Sequence, residues 1–186
     1  MLWELLLGKR VRAWNGISRL AARNPHCYQH WRSRSLPLLI RRWIDLTAAG
    51  QKVVQASLGN TGDTTLANWL DSVGNADWVV PKFMGDTLDS MLDSVIATAV
   101  SRHAEATMIY WDEDFGSLHE SAQPWIKPDW DPLLHAARDC LAGAVAIRLP
   151  DANAMARMMP DLPANEVGLA QLLSGMLAAG HRPVHV

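Results

Sequence analysis

Cysteine is scarce in this chain of 186 residues, with only Cys27 and Cys140, far apart and in no ligand spacing. Two cysteines are too few for a disulfide framework, and the simplest setting for them is a reducing, cytoplasmic one. Long apolar runs are missing as well. Leu2-Trp3-Glu4-Leu5-Leu6-Leu7 is broken by a charge and followed by Gly8-Lys9-Arg10, too short for a membrane span and in the wrong order for a signal peptide. Metal and hydrolase signatures are lacking too. His26 and His30 share a four-residue spacing without the glutamate of a zinc-protease helix or a third ligand, and Ser57, Ser101 and Ser174 have no nucleophile elbow.

Acids are nearly absent from the first 52 residues, which hold ten Lys or Arg against two acids, a formal charge of +8. Residues 53 to 186 hold seven bases against seventeen acids, or −10. This asymmetry suits halves that face each other or water, an anionic membrane surface, a phosphate-bearing ligand or a partner protein. Trp3, Trp14, Trp31 and Trp43, interspersed with the bases, keep peripheral membrane contact among the readings. Nucleic acid is not favoured, since no recognition motif accompanies the charge.

What the chain does have is alternation. Strands are expected at Trp3 to Leu7, Lys52 to Ala56, Asp77 to Val80 with Pro81 closing it, Thr107 to Trp111 and Ala144 to Leu149. Helices are expected near 37 to 49, 63 to 73, 86 to 102 and 165 to 179. The third is the clearest, with Leu88, Met91, Leu92, Val95, Ile96 and Ala99 at helical spacing and Asp86-Thr87-Leu88-Asp89 resembling a capping box. Trp69 and Trp78 fit core positions, and Met155, Met158 and Met159 read as a packing patch that also suits a partner surface. Short strands alternating with helices predict a single layered α/β domain over 1 to 186 with a mixed, mainly parallel sheet. Ligands of such sheets gather beyond the carboxyl ends of the strands.

Chemistry concentrates in Met108-Ile109-Tyr110-Trp111-Asp112-Glu113-Asp114-Phe115 and in Pro124-Trp125-Ile126-Lys127-Pro128-Asp129-Trp130-Asp131. Three adjacent carboxylates repel one another, and one helix cap or loop needs only one, so the cluster points to an ion or sugar site. Trp125 and Trp130 suit either sugar stacking or pinning of the loop. Asn60 and Gly62 sit in a tight loop, and Asp86 and Glu166 at helix starts.

These two motifs, in this order, resemble the family 2 glycosyltransferases of bacterial cell-surface polysaccharide synthesis. Asn60-Thr61-Gly62, Asn68, Trp78 to Leu88, Asn165-Glu166-Val167-Gly168-Leu169 and His181 to Val186 extend the similarity, clearest over 51 to 186 and weak over the basic, divergent 1 to 50. The resemblance implies a GT-A fold and transfer of a sugar from a nucleotide-diphosphate donor to a glycan acceptor, with manganese or magnesium. It would give Glu166 the acceptor proton, with Asp112 and Asp114 as catalytic neighbours. Asn60, Gly62, Asn68 and Asp86 would lie at the donor, Asp86 also at the metal, and Trp125 and Trp130 at the sugars. Where the family clusters aspartates, this chain reads Lys82-Phe83-Met84-Gly85-Asp86, and Gly168 stands in place of a second acid. The family's first strand would be missing, giving an incomplete GT-A domain that a second copy or another protein completes at the inner face of the membrane. The competing expectations are a noncatalytic GT-A-like binding or scaffold protein that has lost the donor and metal site, and a fragment of a longer enzyme.

Overall fold

Trp78-Val79-Val80 is a run of three large apolar residues that only a strand covered on both faces can bury, and it lies at the heart of a five-stranded sheet. In the computed structural model the described residues are 50–59, 64–115, 123–141 and 143–186, with 38, 40, 41 and 44. The chain divides into two compact units, Met1–Asp45 with Trp111–Asp129, and Leu46–Tyr110 with Trp130–Val186.

The larger unit contains strands β1 (Val53–Ser57), β2 (Trp78–Lys82), β3 (Met108–Tyr110), β6 (Val145–Arg148) and β7 (Pro183–His185). Their order is β1-β2-β6-β3-β7. β1 is parallel to β2, with Val53 opposite Trp78, and β3 is parallel to β7, with Met108 opposite Pro183. β6 runs antiparallel to both its neighbours, β2 and β3. The sheet is therefore mixed, with four strands running one way and β6 reversed. Pro81 does not close β2, contrary to expectation. Pairing with β6 stops at Val79 while pairing with β1 continues to Lys82, so the proline falls where no β6 carbonyl asks for its missing N–H.

Five helices occur among the described residues: α1 (Leu66–Ser72), α2 (Leu92–Arg102), α3 (Pro132–Ala137), α4 (Leu149–Met158) and α5 (Glu166–Ala178). α1 packs on α4, and α4 on α5 and β6. Thr65 caps α1 by accepting the Asn68 N–H, and Trp69 anchors the helix to β1 by donating its indole N–H to the Ser57 carbonyl at 2.9 Å. Trp78 donates likewise to Gln51 at 3.1 Å, so both tryptophans bury their rings and satisfy their one donor. Asn165 caps α5 through the Gly168 N–H at 3.0 Å. A bridge from Thr65 to Pro163, flanked by Leu66 N–H to Leu162 C=O and Ala164 N–H to Thr64 C=O, ties the starts of α1 and α5 together.

Several boundaries differ from the periodicity. α2 starts at Leu92, not at 86, because the Asp86 carboxylate turns back to accept the Phe83 N–H at 2.8 Å. Gly85 makes that turn possible at φ +97°, and Asp86 is no helix cap. β6 ends at Arg148 rather than Leu149, since α4 follows at once with Pro150 in its first turn. Within α4, Met155 is buried, Met159 at its end is half-buried, and both sulfurs lie close beside Gly175 of α5. Met158 is exposed. The expected strand at Trp3 to Leu7 lies outside the described residues. So does most of the helix expected at 37 to 49, of which Leu38, Ile40 and Arg41 are helical.

Candidate functional site

A carboxylate and a lysine fourteen residues later can neutralise one another only if the chain doubles back, and here it does. The acid block forms strand β4 (Glu113–Phe115), antiparallel to β5 (Gln123–Trp125), with Glu113 opposite Trp125 and Asp114 opposite Pro124. This hairpin stands where no strand was expected. Beyond it, the Asp112 carboxylate accepts the backbone N–H of Lys127 at 2.8 Å. The Lys127 ammonium lies 2.7 Å from Glu113 Oε2, and the lysine side chain is fully buried whereas that of Glu113 is 16 % exposed. The same ammonium sits 4.8 Å from the centre of the Trp125 ring, a cation–π distance. Trp125 stacks in turn on Phe115, with ring centres 5.9 Å apart.

The two sequence motifs are thus joined by one hairpin, one carboxylate-to-amide bond and one buried ion pair. An isolated buried ammonium is costly, and Glu113 together with the face of Trp125 supplies the compensation. Lys127 is the residue whose role the sequence did not disclose. Its signal was present as a single base in an acidic, proline-flanked stretch following three carboxylates.

The remaining candidates belong to the larger unit. Trp130 is half-buried with its ring 5.0 Å from that of His135, and Asp131 caps α3 by accepting the Leu133 and Leu134 N–H groups. Trp130 is thereby pinned beside a short helix. Asn68 is exposed on α1. Asp86 closes the turn after β2, beside Lys82, Phe83 and Met84. None of these three offers an oxygen suited to a hard divalent ion, and Lys82 brings a like charge, so the described turn does not fit magnesium or manganese as a ligand set. Among the described residues, no group of three or more His, Cys, Asp or Glu side chains is placed to hold a metal ion. Asn60 and Gly62 lie outside the described residues.

Glu166 opens α5 and lines an open groove of about 740 Å³ with Asp139, Met159, Leu162, Val167 and Ala170 among its walls. Both ionisable residues on this groove are acids. At the neighbouring Gly168, an added Cβ would lie 1.8 Å from the Pro163 carbonyl oxygen, so the backbone leaves no room for a side chain where the resemblance implies a second acid.

At the start of β3, the Thr107 hydroxyl and His181 Nδ1 are 3.1 Å apart and fasten β3 to the start of β7. Nearby, Arg148 binds Asp151 through both Nε and Nη2. That guanidinium holds the Asp151 carboxyl below its ordinary value of 3.8, chiefly by hydrogen bonding, with His181 adding a smaller favourable charge. No described helix is long and apolar enough to cross a membrane. Comparison with protein-family models, curated proteins and solved structures finds no match.

Proposed function

We propose that the chain is a noncatalytic, GT-A-like binding or scaffold protein of bacterial surface-polysaccharide synthesis, one that has lost the donor and metal site. The observation that carries this reading is Lys127, which engages Asp112 through its amide and Glu113 through its ammonium. Two of the three carboxylates in the acid block thereby hold the hairpin rather than face a sugar diphosphate. The inward turn of the Asp86 carboxylate and the steric closure at Gly168 point the same way. The sequence resemblance supplies the biological setting.

The alternative is an active transferase, favoured by one feature: the two family-like motifs are in direct contact through the hairpin, as parts of a single site would be. In that case Glu166 on its groove is the carboxylate that takes the acceptor hydroxyl proton. The test is calorimetric titration of UDP, GDP and their sugars with manganese or magnesium, on the native chain and on Asp86→Ala, Asp114→Ala and Glu166→Ala. The noncatalytic reading expects no heat of donor binding and no transfer, together with a loss of thermal stability in Glu113→Gln. Donor binding lost in Asp86→Ala, or sugar transfer lost in Glu166→Ala, would replace it with the enzyme.

A further inference from the structure

Helix α5 is apolar on more sides than the unit covers. Leu169, Leu172, Leu173 and Met176 face inward and are buried, as the core demands. On the outward side Val167 is 61 % exposed, with Ala170 half-buried and Ser174 and Ala178 exposed along the same stripe. Only Glu166, Gln171 and Ser174 of its thirteen residues are polar, so the open side is more apolar than a fully solvated face and suits a cover. The groove along this side gives the cover a seat, floored by Met159 and Leu162 and rimmed by Asp139 and Glu166.

Charge identifies the occupant. Glu166 stands exposed at the amino end of α5, while just past its carboxyl end, beyond the Gly180 turn, comes the exposed Arg182. The thirteen-residue helix, about 20 Å long at the usual helical rise, therefore has acid at its start and base just past its end, with no charged residue between them. A copy of the same helix laid antiparallel satisfies both ends at once. With the two-fold axis between Leu172 and Leu173, Gln171 meets Ser174 of the second copy and Val167 meets Ala178. Each Arg182 then approaches the opposite copy's Glu166 end. Antiparallel alignment also opposes the two helix dipoles favourably. A like-charged or uncharged partner gains none of this.

We propose that this face is a homodimer interface in which α5 pairs antiparallel with α5 of a second copy, its acidic and basic ends exchanged across the two-fold. The surface patch is self-complementary, as a closed two-fold interface requires. The pairing rests on the noncatalytic reading, since the second helix fills the groove where an active Glu166 would meet its acceptor; the sedimentation test is separate from donor titration, so the two can fail independently.

Sedimentation velocity of the full chain tests it. The native protein should sediment as a dimer at tens of micromolar, and Ala170→Arg, which places a bulky charge in the middle of the seam, should sediment as a monomer with an unchanged circular dichroism spectrum. Glu166→Arg and Arg182→Glu should each weaken the dimer several-fold, as reversed surface pairs do, and the double variant should recover it. Because Ala170→Arg is half-buried and could fold poorly, Gln171→Cys in a Cys27→Ser background provides a second measure: a short bis-maleimide should link two chains through this exposed position. A monomeric native chain, a dimer that survives Ala170→Arg, absence of the cross-link, or failure of the double charge swap to restore association would each overturn the proposal.

Discussion

The β4–β5 hairpin and the five-stranded sheet are stabilised in opposite ways. The sheet buries apolar side chains on strands whose neighbours come from distant parts of the sequence, and Val79, Ile109 and Ile147 are completely enclosed. Each such burial contributes about 1.5–3 kcal/mol, does not depend on direction, and tolerates a partner of similar size. The hairpin instead rests on one buried ammonium, one carboxylate and two stacked rings, all of which must stay in place. An ion pair of this kind is costly to break and nearly neutral to replace as a whole. A sequence under selection for stability alone has no need of it, which makes the hairpin the more informative region about ancestry and the sheet the more informative about folding.

Large effects are expected on both sides of this contrast, and the first lies in the larger unit. Leu172→Ala should cost about 2–5 kcal/mol of unfolding free energy in urea titration, since the residue is fully enclosed and leaves a cavity. Gly168→Ala is a sharper probe. Helix propensity favours alanine by about 1 kcal/mol, yet its Cβ would collide with the Pro163 carbonyl, so the variant should be destabilised by at least about 1–3 kcal/mol. A stabilised Gly168→Ala protein would show that the lead-in to α5 gives way freely.

In the hairpin, Glu113→Gln should destabilise by about 3–5 kcal/mol by removing the carboxylate beside the buried Lys127 ammonium, and the double variant Glu113→Leu/Lys127→Met should recover most of that loss. Hydrogen exchange would locate the effect in residues 113–127. Equal losses in the single and double variants would mean that shape rather than charge holds the turn. A smaller change is expected from Asp131→Ala, about 1 kcal/mol, read as faster exchange of the Leu133 and Leu134 amides that the carboxylate caps.

The smallest effect concerns pH. The Asp151 carboxyl is lowered in the folded chain, so its contribution to stability is fully present above the ordinary value of 3.8 and is lost as pH falls below it, through the lowered folded value. Asp151→Asn should flatten that acid limb in pH-dependent thermal unfolding and leave neutral stability slightly reduced. An unchanged acid limb would assign it to other carboxylates.

Much of the sheet was legible because each strand is a short apolar run bounded by polar residues, glycine or proline. Expected strands at Lys52 to Ala56, Asp77 to Val80 and Thr107 to Trp111 correspond to β1, β2 and β3 within a residue or two. α5, expected near 165 to 179, runs Glu166–Ala178. α4 was not singled out, although Pro150 and Asp151 in its first turn and buried Leu149, Ala152, Met155 and Ala156 carried a helical signature. The start of α2 was misplaced because Asp86 can cap a helix or close a turn equally well from its local sequence, and only the Phe83 amide decides between them. At the candidate site, the sequence marked Asp112, Glu113 and Trp125 as unusual without showing that Lys127 lies beside all three.

Local chemistry alone determined that segments such as β1, β2, β3 and α5 extend or coil, because period, caps and turn residues act over a few positions. It also determined the separation of a basic first quarter from an acidic remainder, which is a matter of counting. Tertiary structure decided what no local rule reaches: that β6 enters reversed between β2 and β3, that Thr107 meets His181 across 74 residues, and that Asp112 and Glu113 are claimed by a lysine on the far arm of a hairpin. The reason is physical. A carboxylate's intrinsic chemistry is the same whether it faces a metal, a sugar or an ammonium, and its role is set by which group the folded chain brings within about 3 Å.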